Sequence, residues 1–154
     1  MGLQQESAGT LIASNRKARH TYEVLETLEA GIVLTGTEVK SLRQGRANIG
    51  EAYGTIKKGE VWLTGMHVSP YEQGSYNNVD PLRERKLLLH KKELRKLNAR
   101  VAEKGLTLVP LQLYFKHNIA KVTLGVCRGK KEYDRRDDIK RRDAERDIRR
   151  RLRR

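Results

Sequence analysis

The apolar residues of this chain are confined to its middle, which limits the part of it that can fold. From Tyr22 to Val126 short apolar runs alternate with polar ones, whereas both ends carry few aliphatic or aromatic side chains. A segment becomes ordered only where burial of apolar surface offsets the loss of conformational entropy. We therefore predict a disordered leader over residues 1–14, one folded domain over residues 15–128, and a tail over residues 129–154 that is disordered when free.

The excess of positive charge indicates a polyanionic partner. The chain has 33 Lys and Arg against 19 Asp and Glu, a formal net charge of +14. Such a balance favours nucleic acid or an anionic membrane surface as partner. No stretch approaches the roughly 20 consecutive apolar residues of a membrane helix. Residues 1–14 lack the basic start and apolar core of a signal peptide, and the single Cys127 cannot form an intrachain disulfide. We therefore expect a cytoplasmic protein that binds no membrane.

Short strands with turn signals dominate the predicted folded domain. Apolar alternation predicts an early strand pair over 22–34 interrupted at Ala30-Gly31, a hairpin turning at Lys58-Gly59, and a longer hairpin turning at His117-Asn118. The parity of the apolar residues changes at Pro110, which predicts a bulge or a strand edge there.

Two helices are predicted between the strands. The first spans Thr37–Gln44, with Thr37 as its cap and Gly45 as its stop, and the second spans Lys91–Lys104. About six short strands with one or two helices predict a mainly β fold with short helices, a closed or partly open antiparallel β-barrel. The OB-fold is the leading candidate and an SH3-like barrel is the alternative, because pattern alone does not separate them.

No pattern in the sequence is typical of a catalytic or metal site. The four histidines are scattered, and no two have the i, i+4 spacing of a helical metal site. Cys127 lies in an alternating strand and is interpreted as a core residue. Gly125–Lys131 is one residue short of a phosphate-binding loop and lacks its Ser or Thr. We therefore expect no catalytic residue, no metal and no cofactor. An RNA-processing enzyme and a structural protein of the ribosome remain the alternatives to an RNA adaptor.

Basic residues form three clusters in the folded domain. The first is Asn15, Arg16, Lys17, Arg19 and His20; the second is Lys40, Arg43 and Arg46; the third is Lys116, His117 and Lys121 at a hairpin turn. Cations held on a rigid domain can meet successive phosphates, and double-stranded or tRNA-like RNA is recognised mainly by its shape, phosphates and 2′-hydroxyls. We therefore predict that these residues bind RNA. A flexible charged terminus is the alternative for the first cluster.

The tail repeats acidic residues four positions before basic ones, as in Glu145–Arg149. Each such pair favours a helix by only ~0.2–0.5 kcal/mol, whereas ordering one residue costs ~1–2 kcal/mol of backbone entropy. The free tail is therefore expected to be mostly disordered with a helical tendency, and to fold against an anionic surface. A nonspecific basic arm is the alternative.

Four separated blocks of the sequence carry a family signature, over residues 15–20, 29–43, 80–90 and 125–140. In their order and spacing, from about Asn15 into the tail, they resemble the SmpB family of SsrA-binding proteins. The resemblance implies an OB-type barrel, monomeric when free, that binds the tRNA-like domain of tmRNA and delivers it to stalled ribosomes in trans-translation. It also implies a tail that enters the decoding centre and mRNA channel of the small subunit and becomes helical there.

The same resemblance implies roles for individual residues. Glu29, Leu88 and His90 fall on the face that contacts tmRNA, His90 standing where some members carry Asn. Tyr133 stands where a residue that stacks in the decoding centre is expected, and Ala144 where some members carry Trp. The other ribosome-binding residues of the tail are then Lys130, Lys131, Asp134, Arg135, Arg136, Lys140 and Leu152.

Overall fold

β-Strands form most of the computed structural model, which describes residues 9–73, 78–102, 105–130 and 142–150. The strands are β1 (Thr10–Ser14), β2 (Tyr22–Ile32), β3 (Ala47–Asn48), β4 (Tyr53–Lys57), β5 (Glu60–Thr64), β6 (His67–Val68), β7 (Arg85–Leu88), β8 (Leu106–Lys116) and β9 (Ile119–Gly129). The helices are α1 (Ala18–Thr21), α2 (Gly36–Arg43) and α3 (Lys91–Val101), with residues 142–150 forming α4. The prediction of a mainly β fold with short helices is confirmed.

Six of these strands pair into a closed antiparallel ring. Their order is β8-β4-β5-β7-β2-β9, and β9 pairs with β8 again. β1 adds to the outside of β8, while β3 and β6 form a separate two-stranded sheet. Because side chains alternate along a strand, one set from each strand fills the ring. The fully buried residues of this core include Val61, Leu63, Leu87, Leu113 and Val122.

Both predicted hairpins are present, with the turn residues in the left-handed region. Lys58 and Gly59 have φ of 51° and 76°, and His117 and Asn118 have φ of 52° and 63°. Positive φ at both turn positions suits the twist of two strands joined by a two-residue loop. The β8–β9 register shifts between Pro110 and Gln112, so the predicted bulge at Pro110 is also confirmed.

The predicted interruption of the first strand at Ala30-Gly31 is wrong, because β2 runs unbroken through both residues. Ala30 is buried, and Gly31 pairs with Leu88 on one side and with Lys121 on the other. A Cβ at Gly31 would lie 3.3 Å from the Cβ of Leu88. The small residues therefore allow close side-chain packing between strands, which sequence alone does not distinguish from a turn.

The predicted limits of the folded domain also change. Thr10–Ser14, assigned to the disordered leader, is β1, and its Ile12 and Ala13 pack against the core. Its partner strand is distant in the sequence, since Thr10 pairs with Phe115, so no local pattern reveals the pairing. At the C-terminal side Gly129 belongs to β9, and the Lys130 N–H donates to the Thr21 carbonyl at 3.0 Å. The folded domain thus includes residues 10–130, and residues 1–8 lie outside the described part.

Two details of the helices differ from the prediction. The cap of α2 is Thr35, not Thr37, because the Thr35 hydroxyl accepts from the Glu38 N–H at 3.3 Å and the Glu38 carboxylate accepts from the Thr35 N–H at 2.9 Å. Gly45, with φ of 72°, follows the end of α2 as predicted. α3 ends at Val101, short of Lys104. No helix within the described ranges is long and apolar enough to cross a membrane.

The interior also holds a network of charges. The fully buried Arg85 donates from Nε to the Glu38 carboxylate at 2.5 Å, and from its other nitrogens to the carbonyls of Met66, Arg83 and Pro81. Arg83 donates to the second oxygen of Glu38. Burial alone would raise the pKa of Glu38, but the hydrogen bonds from Arg83, the Thr35 N–H and Arg85 outweigh it and lower that pKa. The network ties α2 to β7 and to the turn before it.

Candidate nucleic-acid interface

Three adjacent strands present polar side chains on the outside of the ring. Directly paired residues of antiparallel strands project from the same side of a sheet, and Glu29 pairs with Thr123, Gln112 with Thr123, and Tyr114 with Lys121. The neighbours that alternate with these residues belong to the core. We call this surface the β2–β9–β8 face, defined by Thr27, Glu29, Gln112, Tyr114, Lys116, Lys121 and Thr123.

Glu29 is the centre of a charged cluster on this face. The Tyr114 hydroxyl donates to one carboxylate oxygen, and Lys116 Nζ lies 3.4 Å from the other. The hydrogen bond from Tyr114 lowers the pKa of Glu29, opposed by partial burial and aided by Lys116 and Lys121. Burial, with the bond to Glu29, raises the pKa of Tyr114 to about 12. An ionised carboxylate among lysines can accept from a 2′-hydroxyl or amino group while the lysines meet phosphates.

The first predicted cluster adjoins the face through two of its arginines. Arg16 and Arg19 line a cleft of 450 Å³ whose other lining residues include Thr27, Gln112 and Thr123. The basic segment before β2 therefore extends the β2–β9–β8 face past its end. Lys17 lines a different cleft, and neither Arg16 nor Arg19 belongs to the lining of that cleft.

The side chain of Asn15 is buried, and its contact with RNA stays a prediction. Asn15 Nδ2 donates to the Pro110 carbonyl at 3.1 Å and to the Ile49 carbonyl at 3.4 Å. Its backbone N–H donates to the Leu111 carbonyl at 2.8 Å. Asn15 thus anchors the basic segment at the β8 bulge and positions the arginines that follow it.

Leu88 and His90 lie at the end of β7 and just after it, and β7 pairs with β2 on the edge opposite to β9. Leu88 is 53% exposed and pairs with Gly31, which in turn pairs with Lys121, so these residues form a row across β7, β2 and β9. His90 is exposed at the start of α3, where its N–H donates to a carboxylate oxygen of Glu93 at 3.2 Å. The three residues singled out by the family resemblance therefore lie on adjoining strands and at the helix end that follows.

The second predicted cluster makes different contacts. Lys40 Nζ lies 5.4 Å from the centre of the Tyr71 ring, and the Arg43 guanidinium lies 5.5 Å from that of Phe115. Phe115 packs against the core and so points to the opposite side of β8 from Tyr114 and Lys116. These contacts do not bring Lys40 and Arg43 onto the β2–β9–β8 face, and their binding to RNA stays a prediction.

The tail residues fall mostly outside the described part of the chain. Lys130 is described, whereas Lys131, Tyr133, Asp134, Arg135, Arg136, Lys140 and Leu152 are not. Residues 142–150 are helical and exposed, and Arg142 lies 3.1 Å from Nδ1 of His20. The disorder of the free tail, and its ribosome-binding residues, stay predictions.

Cys127 is a buried residue of β9, the strand that pairs with both β2 and β8. Its burial agrees with its interpretation as a core residue. Burial raises the pKa of its thiol to about 11, so the thiol is protonated at neutral pH. Over the described ranges, no three His, Cys, Asp or Glu side chains gather in a group that could hold a metal ion.

Thr27, Gln112, Tyr114 and Thr123 are the members of the face that were not predicted from the sequence. They carry no net charge at neutral pH, so a pattern of basic residues does not include them. The signal that could have identified Gln112 and Tyr114 is the apolar alternation of Leu111, Leu113 and Phe115 after the bulge, because it leaves positions 112 and 114 on the same side of the strand as Lys116.

Comparisons with known proteins agree with one another. A solved structure, "tmRNA-SmpB: a journey to the center of the bacterial ribosome", matches with a TM-score of 0.66 and 57% sequence identity, covering 78% of this chain and 85% of that chain. The SsrA-binding protein of Ruminiclostridium cellulolyticum is 57% identical over 147 residues, 96% of each chain. That of Geobacillus thermodenitrificans is 57% identical over 145 residues, 94% of each. The family model described as SmpB protein matches residues 12–154. The chain therefore belongs to the SmpB family.

Proposed function

We propose that this chain is a noncatalytic RNA adaptor of trans-translation. Its folded ring binds the tRNA-like domain of tmRNA, and its tail occupies the decoding centre and mRNA channel of the small subunit of stalled ribosomes. The names of its relatives, SsrA-binding proteins, and the similar structure of tmRNA-SmpB at the bacterial ribosome support this role. Peptidyl transfer remains the reaction of the ribosome.

The observation that carries the tmRNA half of the proposal is the β2–β9–β8 face. It joins Lys116 and Lys121 to Arg16 and Arg19 along one surface, with the ionised Glu29 between them. A line of cations of this kind follows the phosphates of a folded RNA, and the carboxylate adds an acceptor for sugar or base groups. The face is made of ring strands, so it is held in place before RNA binds.

The proposal includes the finer description of the fold. The small antiparallel ring is closed and filled with side chains, which supports an OB-type barrel. We also propose that the free protein is a monomer in the cytoplasm, since the net charge of +14 opposes association of two copies.

The tail half of the proposal follows from the division of charge and apolar residues. Residues 131–154 hold few apolar residues, so the free segment has little to bury, while its acid–base pairs favour a helix. Residues 142–150 are helical, which supports folding of the tail as a helix. We propose that ribosomal RNA supplies the anionic surface against which it orders.

A gel-shift titration tests the tmRNA half. The full chain is titrated against the tRNA-like domain and against an unrelated hairpin of equal length at moderate salt. We expect clear preference for the tRNA-like domain, reduced by Lys121→Ala and retained by Lys58→Ala, a lysine at the exposed β4–β5 turn. Equal binding of the two RNAs by the unaltered chain would sink this half.

Deletion of residues 131–154 tests the division of labour. The cut falls after Lys130, whose N–H still bonds to Thr21, so the ring is left intact. We expect the truncated chain to bind the tRNA-like domain but to fail in rescue of stalled ribosomes. Loss of both properties together, with the thermal unfolding of the ring unchanged, would contradict separate roles for ring and tail.

A further inference from the structure

A second cleft opens beside the basic segment, and nothing in the proposed contacts uses it. Its volume is 270 Å³, and it shares only Asn15 with the lining of the cleft that Arg16 and Arg19 border. The tail leaves the ring at this place, because Tyr22 pairs with Gly129 and the N–H of the next residue donates to Thr21. The cleft is therefore set apart from the β2–β9–β8 face and lies near the tail.

The lining of this cleft combines an apolar floor with two aromatic rings. Ala18, Ala52 and Val109 are buried and form the floor, while Tyr22 is half-buried and Tyr53 is 46% exposed. Bases stack on exposed tyrosine rings. The volume lies just below the range of about 300–1,000 Å³ that holds drug-sized ligands, which suits one base.

The polar groups of the cleft favour one class of base. Lys17 and the carboxylate of Glu51 are exposed at its rim. Asn15 also borders the cleft, and its buried Nδ2 donates to the carbonyls of Ile49 and Pro110. The Glu51 carboxylate thus offers an acceptor that suits an exocyclic amino group, and Lys17 offers a cation for a phosphate.

We propose that this cleft takes one unstacked nucleobase of RNA that bears an amino group, stacked on Tyr53 and Tyr22. Guanine, adenine and cytosine fit this description, and uracil does not. The inference rests on the proposed role as an RNA adaptor. The base comes either from the tRNA-like domain or from the RNA of the small subunit, and both offer the same chemistry.

Base-specific chemical probing distinguishes these sources. The full chain is bound in one arm to the tRNA-like domain and in the other to small ribosomal subunits, and the reactivity of each base is compared among variants. We expect one amino-bearing base, in one of the two RNAs, to be protected by the unaltered chain and by Tyr53→Phe. In Tyr53→Ala, which loses the ring, that base should regain reactivity and affinity for that RNA should fall on the order of tenfold.

Two further variants check the site. Glu51→Gln should weaken protection of the same base, whereas Lys58→Ala, at the exposed β4–β5 turn, should leave that base protected. The inference is overturned if no base in either RNA depends on Tyr53, or if the dependent base is uracil. Failure of the proposed function would give a different result, namely equal affinity of the unaltered chain for the tRNA-like domain and for an unrelated hairpin.

Discussion

Glu38 and Glu29 are both glutamates that meet cations and have a lowered pKa, yet the two clusters differ in almost every other respect. The side chain of Glu38 is 3% exposed and meets two arginines, one of them fully buried. That of Glu29 is 39% exposed and meets a tyrosine and a lysine. A buried pair must be complete, since an unpartnered charge in the interior is costly. An exposed cluster keeps free acceptor and donor capacity for a ligand.

The sequence blocks that carry the family resemblance contribute residues to both the buried and the exposed cluster. Glu38 lies in the block 29–43 and Arg83 and Arg85 lie in the block 80–90, so these two blocks meet in the interior. Glu29 and Leu88 come from the same two blocks but reach the surface. Sequence blocks of one family can thus hold buried structural residues and the exposed residues that we propose contact RNA, and burial distinguishes the two.

The largest effect is expected from Arg85→Ala. It leaves the buried Glu38 carboxylate without one of its two arginine partners and the carbonyls of Met66, Arg83 and Pro81 without the Arg85 donor. The free energy of unfolding, measured by urea denaturation, should therefore fall by about 3–5 kcal/mol. The control is Lys57→Ala, which breaks the exposed ion pair of Lys57 with Glu84 at 2.7 Å and should cost at most about 1 kcal/mol. Equal losses in the two variants would remove the distinction between buried and exposed clusters.

Removal of the lysines of the exposed cluster should act on binding and leave stability nearly unchanged. The double variant Lys116→Ala with Lys121→Ala should bind the tRNA-like domain roughly tenfold more weakly. The slope of log affinity against log salt concentration should also become shallower, by about one for each phosphate that the protein no longer neutralises. Affinity is measured by titration at several salt concentrations, with Lys58→Ala as the matched control. An equal reduction of affinity in Lys58→Ala would mean that binding follows net charge alone.

Acid should destabilise the buried cluster more than the exposed one. A glutamate whose folded pKa lies below its ordinary value of 4.5 stabilises the fold above that pH, and the contribution is lost as pH falls through the lowered pKa. In the unaltered chain the unfolding free energy should fall as the pH is lowered from about 5 to about 2. We expect this fall to be smaller in Glu38→Gln than in Glu29→Gln, because Glu38→Gln removes the buried carboxylate. A larger change in Glu29→Gln would reverse the comparison.

The smallest effect concerns Tyr114 at alkaline pH. Its pKa is raised from 10.0 to about 12, so the folded state favours the neutral phenol. The resulting stabilisation is complete below pH 10 and is lost as pH rises through the folded pKa. Absorbance titration should show a late-ionising tyrosine that is missing in Tyr114→Phe. A tyrosine signal unchanged by this substitution would contradict the bond between Tyr114 and Glu29.

Features set by neighbours in sequence were predicted well. The turns at Lys58-Gly59 and His117-Asn118 and the bulge at Pro110 depend on local φ preferences and on side-chain parity, which can be read directly from the chain. The position of Gly45 just after the end of α2 has the same origin. The predicted cap of that helix, Thr37, lies two residues after the observed cap, Thr35. Both residues carry a suitable hydroxyl, and only the path of the backbone selects between them.

Features that join distant residues were not predicted from pattern. Glu38 and Arg85 are 47 positions apart, and Glu29 and Tyr114 are 85 apart. The order of strands in the ring, the addition of β1 to β8 and the burial of Asn15 likewise depend on which segments meet. No periodicity within one segment contains that information.

The sequence by itself determined the mainly β class, the position of the hairpins and the resemblance to a family. It did so because charge, alternation and turn residues act locally, and because the blocks occur in order. Only the tertiary structure decided which glutamate is enclosed and which meets solvent, and that Arg16, Arg19, Lys116 and Lys121 border one surface. The physical reason is that burial and proximity arise when strand register places distant residues side by side.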